Sequence, residues 1–115
     1  MENQLRNITY DALVIGAGIA GGEAALNLAN TGYKVLVVEK DLSVGGKMIL
    51  LSKVFPTLDC AACITTPKVS EISRHPNITI LTGSEVSNIR KNGENDFTAR
   101  VLQKPRYVHV EDCTA

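Results

Sequence analysis

The run TYDALVIG, Thr9 to Gly16, is largely apolar and β-branched and stops at a glycine. A short apolar run bounded by a turn residue is the pattern of a strand buried on both faces of a parallel sheet. From Ile19 to about Asn30 the residues IAGGEAALNLAN are rich in alanine and leucine and hold no proline. That composition predicts a helix, with Gly32 placed after Thr31 as its C-terminal stop. YKVLVVEK, Tyr33 to Lys40, repeats the buried-strand pattern, so that strand, helix and strand fill about 32 residues, the length of one β-α-β unit.

Beyond Lys40 the pattern loosens. Asp41 to Pro67 has no clear period and carries Gly45, Gly46, Pro56 and Pro67; it reads as a long functional loop with one short helix near Lys47 to Lys53. After Pro67, KVSEISRH has Val69 and Ile72 three apart and leads into Pro76, which suits a short helix opened by proline at its first position. NITILTGSEVSNIRKNGENDFTARVLQKPRYVHV then alternates apolar and polar residues in three runs, with an Asn-Gly turn in KNGEND. These runs predict a third sheet strand followed by an antiparallel hairpin or meander. The expected class is therefore α/β, a Rossmann-like three-layer fold with a parallel sheet and an added antiparallel β-meander.

Composition narrows the field. A chain of 115 residues supports one domain with a modest core, and a second complete domain is not expected. Twelve basic residues balance twelve acidic ones, leaving no field to gather nucleic acid or anionic lipid. No apolar run approaches the roughly 20 residues of a membrane span, and the polar start MENQLRN lacks a secretory pattern; the cytoplasm is the expected location. Three cysteines, two of them as C-x-x-C, make a poor disulfide framework and turn attention to metal, cluster or redox chemistry.

Gly16, Gly18 and Gly21 form G-x-G-x-x-G where the first strand becomes the helix. Gly16 permits the tight turn, Gly18 lets the backbone approach a pyrophosphate, and Gly21 lets helix and strand pack closely. The helix N-terminus at Ile19 and Ala20 presents unpaired N–H groups and the positive dipole end to phosphates. Glu39 falls at the end of the second strand, where a carboxylate accepts hydrogen bonds from ribose hydroxyls and repels a 2′-phosphate, disfavouring NADP. Lys40 follows it, and Gly45-Gly46-Lys47 comes a few residues later; such a glycine pair brings backbone amides close to a ligand.

The order strand, glycine-loop helix, VVEK and GGK resembles the FAD-binding half of the flavoproteins that include glutathione reductase and thioredoxin reductase. That resemblance favours FAD over NAD and makes Val86, in GSEVSNI, the candidate whose backbone meets the adenine. The run GGKMILLSKVFPTLDCAACITTPKVSEISRHPNITILTGSEV, and FPTLDCAACITTPK and HPNI above all, resembles the A subunit of heterodisulfide reductase, a flavin and iron–sulfur protein of methanogens, sulfate reducers and other anaerobes. The resemblance covers nearly the whole chain, about Tyr10 to Thr114. It implies an FAD-dependent oxidoreductase with several 4Fe-4S clusters that splits electron pairs between ferredoxin and the heterodisulfide of coenzymes M and B, a step of methanogenesis. The implied partners are the B and C subunits and a hydrogenase or formate dehydrogenase.

In that family KPRYVHVEDCT leads into an inserted ferredoxin-like module, so 108–115 is expected to be its beginning and Cys113 a ligand only where the module is complete. The chain is accordingly expected to be an N-terminal piece of a larger protein, not catalytically competent alone. Two further readings stay open beside it: an assembly fragment that lacks cofactor and oligomerises through exposed apolar surface, and a stand-alone NAD-binding module.

For Cys60 and Cys63 three readings remain: small buried hydrophobes, a redox or cluster role realised only in the complete protein, and a working thiol pair in this chain. A cluster needs four ligands where three cysteines exist, and His75 and His109 have no ligand spacing with them for zinc. Disulfides of the glutathione reductase type lie on a longer spacing, C-x-x-x-x-C, and the thioredoxin reductase pair sits in the other domain. Asp59 is expected to raise the Cys60 pKa. His75 reads as a helix-end cation and His109 as a strand surface residue.

Overall fold

In the computed structural model residues 7–105 are described; His109, Cys113 and the whole of 108–115 lie outside the described residues. Strand β1 (Ala12–Ile15) leads through the glycine loop into helix α1 (Ile19–Asn30), and β2 (Val35–Val38) returns beside β1. A 3-10 turn (Gly46–Leu50) and a small hairpin of β3 (Lys53–Val54) and β4 (Asp59–Cys60) precede helix α2 (Ala61–Arg74). Strand β5 (Ile78–Leu81) then joins the sheet, and β6 (Ser84–Lys91) and β7 (Phe97–Gln103) form an antiparallel hairpin.

The main sheet has the order β1-β2-β5, all parallel. Its register puts Ala12 beside Val35 and Val35 beside Ile78, with Val14, Val37 and Ile80 two residues along. Because strand side chains alternate, these six share one face. Against it pack Ala25, Leu26 and Ala29 of α1 and Ile72 of α2, making one apolar core with both helices on the same side of the sheet. The hairpin touches β2, and Lys104 N–H ties its far end back to the Gly83 carbonyl. Its strands are offset by a bulge between Val86 and Asn88.

The limits of α1 are the expected ones, and its end is closed by Thr31 and Gly32 N–H groups on the Leu28 and Ala29 carbonyls. Gly32 takes the left-handed φ of 98° that favours glycine there. Helix α2 differs from expectation. It starts at Ala61, and Pro67 lies inside it. A proline ring normally breaks a helix by removing one N–H and crowding the preceding turn. Here the first turns are held by tertiary burial: Ala61 is fully buried, and buried Thr65 donates its hydroxyl to the Ala61 carbonyl at 2.7 Å. The short helix expected near Lys47–Lys53 is the 3-10 turn, three residues shorter at its C-terminal end.

His75 ends α2. The Asn77 N–H donates to its Nδ1 at 3.1 Å, and its Nε2 is hydrogen-bonded with Asn30 Oδ1 at 3.0 Å. The ring joins the end of α1 to the start of β5.

Leu26 is only 3% exposed within this core. Leu26→Ala should lower the unfolding free energy by about 2–5 kcal/mol, seen as a lower urea midpoint at unchanged slope. Leu50→Ala, at a side chain 81% exposed, should change it by less than about 0.5 kcal/mol.

Candidate functional site

The C-terminal ends of β1 and β2 bring the sequence-marked residues to one edge of the sheet. Gly16 turns the chain with φ at 100° while its N–H donates to the Val38 carbonyl at 2.8 Å. Gly18 is the N-cap of α1 and supplies no side chain to the free N–H groups behind it, so the donors of Ile19 and Ala20 face outward. Gly21 sits where a Cβ would run into the Gly16 carbonyl oxygen. Only glycine lets α1 approach β1 this closely.

Gly45 and Gly46 fold onto the same loop. Both have left-handed φ values, 117° and 58°, and the Gly45 N–H donates to the Ala17 carbonyl at 2.8 Å. A Cβ on Gly46 would lie 3.0 Å from Gly18 Cα. Two backbones thus form a cradle with no side-chain wall. Lys47 follows in the 3-10 turn with its side chain exposed.

Glu39 is 7% exposed, and both its oxygens are engaged. Oε2 accepts the Ala17 N–H at 2.6 Å and Oε1 accepts the Asp41 N–H at 3.0 Å. Its backbone is tied as well, its N–H to the Leu81 carbonyl and its carbonyl to the Ser84 N–H. Lys40 points away toward Glu85 at 3.8 Å in an exposed pair, which contributes little to stability. Half-buried Val86 lies on β6, paired with Val101, two residues past the Ser84 contact to Glu39.

A cavity of about 160 Å³ opens between the two helices beside this edge. Ala17, Gly18, Val44 and Gly45 form one end, and Ile64, Thr65 and Ile72 of α2 the other. Gly22 is the residue that sequence reasoning passed over: a Cβ there would be 2.6 Å from Ile72 Cδ1. The doubled glycine at Gly21-Gly22 was the available signal, one glycine for the strand and one for the second helix.

Cys60 and Cys63 are both exposed, which overturns the reading of buried hydrophobes. Cys60 is the N-cap of α2 and Cys63 its third residue, so they lie at a helix start and not in a loop. The Cys63 N–H, the Cys63 thiol and the Ala62 N–H favour the Cys60 thiolate and lower its pKa. The Cys63 pKa is raised, mainly by its hydrogen bond to Cys60 and the charge there, with burial and Asp59 adding to the effect. The expected action of Asp59 on Cys60 is corrected accordingly: its charge is felt at Cys63. Among the described residues no group of three or more His, Cys, Asp or Glu is placed to hold a metal ion, and no helix is long and apolar enough to cross a membrane.

Residues 10–109 match the family model described as pyridine nucleotide-disulphide oxidoreductase. The A subunit of the ferredoxin/F(420)H(2)-dependent CoB-CoM heterodisulfide reductase of Methanosarcina acetivorans is 50% identical over 103 residues, 90% of this chain and 13% of that protein. The A subunit of the H(2)/formate:CoB-CoM heterodisulfide,ferredoxin reductase of Methanococcus maripaludis is 45% identical over 108 residues, 94% of this chain and 16% of that protein. The chain thus spans under a fifth of the length of either relative. Among solved structures, L-proline dehydrogenase from P. horikoshii superposes with a TM-score of 0.77 at 24% identity, over 89% of this chain and 20% of that one. That likeness speaks for the fold, a Rossmann type with parallel sheet and antiparallel addition.

Glutamine at position 39 would offer one acceptor oxygen where two backbone N–H groups need acceptors. Glu39→Gln should therefore destabilise the protein by about 1–3 kcal/mol in urea unfolding. Lys40→Ala, which breaks only the exposed pair, should change it by less than about 1 kcal/mol.

Proposed function

The chain belongs to the pyridine nucleotide-disulphide oxidoreductase family, and on that premise we propose that it is the FAD-binding segment of an oxidoreductase like the A subunit of heterodisulfide reductase. The observation that carries the reading is the wall-less cradle between Gly18 and Gly46 at the start of α1. A pyrophosphate needs close backbone approach and unpaired N–H donors, and this edge offers both. The fit is steric: the volume a Cβ would fill at Gly46 is left open by sequence.

Gly16, Gly18, Ile19, Ala20 and Gly21 would hold the pyrophosphate. Glu39 uses one hydrogen bond at each oxygen, which leaves acceptor capacity for ribose hydroxyls, and Lys40 stands beside it. The Val86 backbone would meet the adenine, while Gly45, Gly46 and Lys47 would lie toward the flavin. Bound FAD would supply the electron chemistry, since none of these residues is a general acid or base.

In the complete protein this segment would serve reduction of the heterodisulfide of coenzymes M and B, with electrons divided toward ferredoxin. The ferredoxin and heterodisulfide in the relatives' names support that assignment. Iron–sulfur clusters, the B and C subunits, a hydrogenase or formate dehydrogenase and a cytoplasmic setting complete the proposal. The two cysteines of the described residues supply at most two of the four ligands a cluster needs, so any cluster they joined would be completed by residues elsewhere in the complete protein. A second reading, an assembly segment, is favoured by one observation: Phe55, Leu42 and Leu50 are 90%, 85% and 81% exposed. Apolar surface of that kind calls for a covering protein.

Gly18→Ala separates binding from folding, because the nearest atom to its new methyl group is Gly46 Cα at 4.0 Å. The purified chain should bind FAD, with ADP competing and FMN not. Gly18→Ala should weaken FAD binding by about tenfold or more with its urea midpoint unchanged. A folded chain that binds no FAD, or binds FMN equally well, contradicts the proposal. Sedimentation of that protein as a colourless oligomer would support the second reading.

A further inference from the structure

Cys60 and Cys63 take no part in the proposed nucleotide site, yet local structure sets both exposed thiols at the start of one helix, Cys60 as its N-cap and Cys63 in its first turn. The β3–β4 hairpin delivers them. Its antiparallel register sets Cys60 opposite Lys53, and the Leu58 N–H closes the turn on the Val54 carbonyl at 2.8 Å. The chain passes from Cys60 directly into α2, whose first residue, Ala61, is fully buried and bonded through its N–H to the Ser52 carbonyl at 3.1 Å. The Ala61 amide is thereby occupied, while the Ala62 and Cys63 amides, in the first turn of the helix, have no acceptor within it. Pro67 has no N–H to return to the Cys63 carbonyl, four residues earlier in the same helix.

We propose that Cys60 and Cys63 form a reversible dithiol–disulfide pair that exchanges with small-molecule disulfides, Cys60 attacking and Cys63 resolving. The Cys60 thiolate attacks one sulfur of R–S–S–R, forming a Cys60–S–S–R mixed disulfide and releasing RS⁻. Cys63 gives its proton to that RS⁻ and attacks Cys60 Sγ, breaking the Cys60–S–R bond, forming the Cys60–Cys63 bond and expelling the second RS⁻, which takes its proton from water. Two protein thiols are oxidised and one external disulfide is reduced to two thiols; excess thiol runs the sequence backward.

The division of labour follows from position. As the N-cap residue, Cys60 stands at the positive dipole end of the helix, the environment that favours a thiolate in C-x-x-C motifs. Cys63, inside the first turn, hydrogen-bonds to Cys60 and is held back by the charge there and at Asp59. Lys53 on β3 is the register partner of Cys60 across the hairpin. The pair needs no flavin, so the chemistry stands or falls apart from FAD binding.

The test uses the full chain, reduced and free of cofactor, with 2-hydroxyethyl disulfide at pH 7. The tryptic peptide between Lys53 and Lys68 contains both cysteines and excludes Cys113. In the wild type that peptide should lose two hydrogens and keep no adduct. Cys63→Ser should stop at one mercaptoethanol adduct on Cys60, and Cys60→Ser should react at least about tenfold more slowly. Alkylation of Cys60 should also reach its plateau at lower pH than alkylation of Cys63. In urea the two single variants should react at equal rates, which assigns the difference to the fold. Stable adducts on both wild-type cysteines, no reaction, or equal rates in the folded variants would overturn the proposal. Should a serine variant not fold, the wild-type peptide map decides alone.

Discussion

The structure turns on the buried carboxylate of Glu39. Its two oxygens accept the Ala17 and Asp41 amides, and its own peptide groups bond to Leu81 and Ser84. One residue therefore joins the glycine loop after β1, the chain leaving β2, the end of β5 and the start of β6. A charge this enclosed would be destabilising without hydrogen-bond partners. With both oxygens satisfied it becomes a clamp, and its negative charge is set beside the turn that any phosphate-bearing ligand would approach.

Close backbone approach is the second constraint, and the glycines impose it at three interfaces in succession. Gly21 admits β1 to α1, Gly22 admits Ile72 of α2 to the other side of α1, and Gly46 admits the 3-10 turn to Gly18. The Ala17 carbonyl accepts from Gly45 while the Ala17 amide donates to Glu39. Both polar groups of one buried residue thus lock the cradle from opposite sides. The cradle's shape is a consequence of packing that would hold without ligand, which is the preorganisation a tight site needs.

The βαβ unit was legible in the sequence because each signal there is local: apolar β-branched runs, an Ala/Leu-rich helix with a glycine stop, and three spaced glycines. The limits of α1 agree residue for residue with that reading. Pro67 misled because its local rule, proline first in a helix, lost to tertiary burial of Ala61 and Thr65. Strands of two residues, β3 and β4, are too short to show any alternation. The thiols were hidden for the same reason. Their environment is made by a helix start that the sequence pattern placed six residues too late, so neither their exposure nor the N-cap position of Cys60 could be anticipated. Glu39 was visible as a strand-end acid, but its bond to Ala17 spans 22 residues and has no sequence signature.

Helix α2 unites these two halves of the molecule. Through Ile72 it enters the groove that Gly22 leaves on α1, and through Ile64 and Thr65 it walls the cavity whose other end is Gly18 and Gly45. Its first turn carries the thiols. A displacement of α2 along its axis would have to move Ile72 against α1 and the buried Ala61 against Ser52 together. Close-packed interiors resist such sliding. The cysteines are exposed but their anchorage is internal, and the packing that shapes the cradle also fixes where the sulfurs stand. The Lys68–Glu23 ion pair, at 2.9 Å, adds a polar tie between the same two helices. It is half exposed and screened, so the alignment rests on the glycine-to-isoleucine contact beneath it.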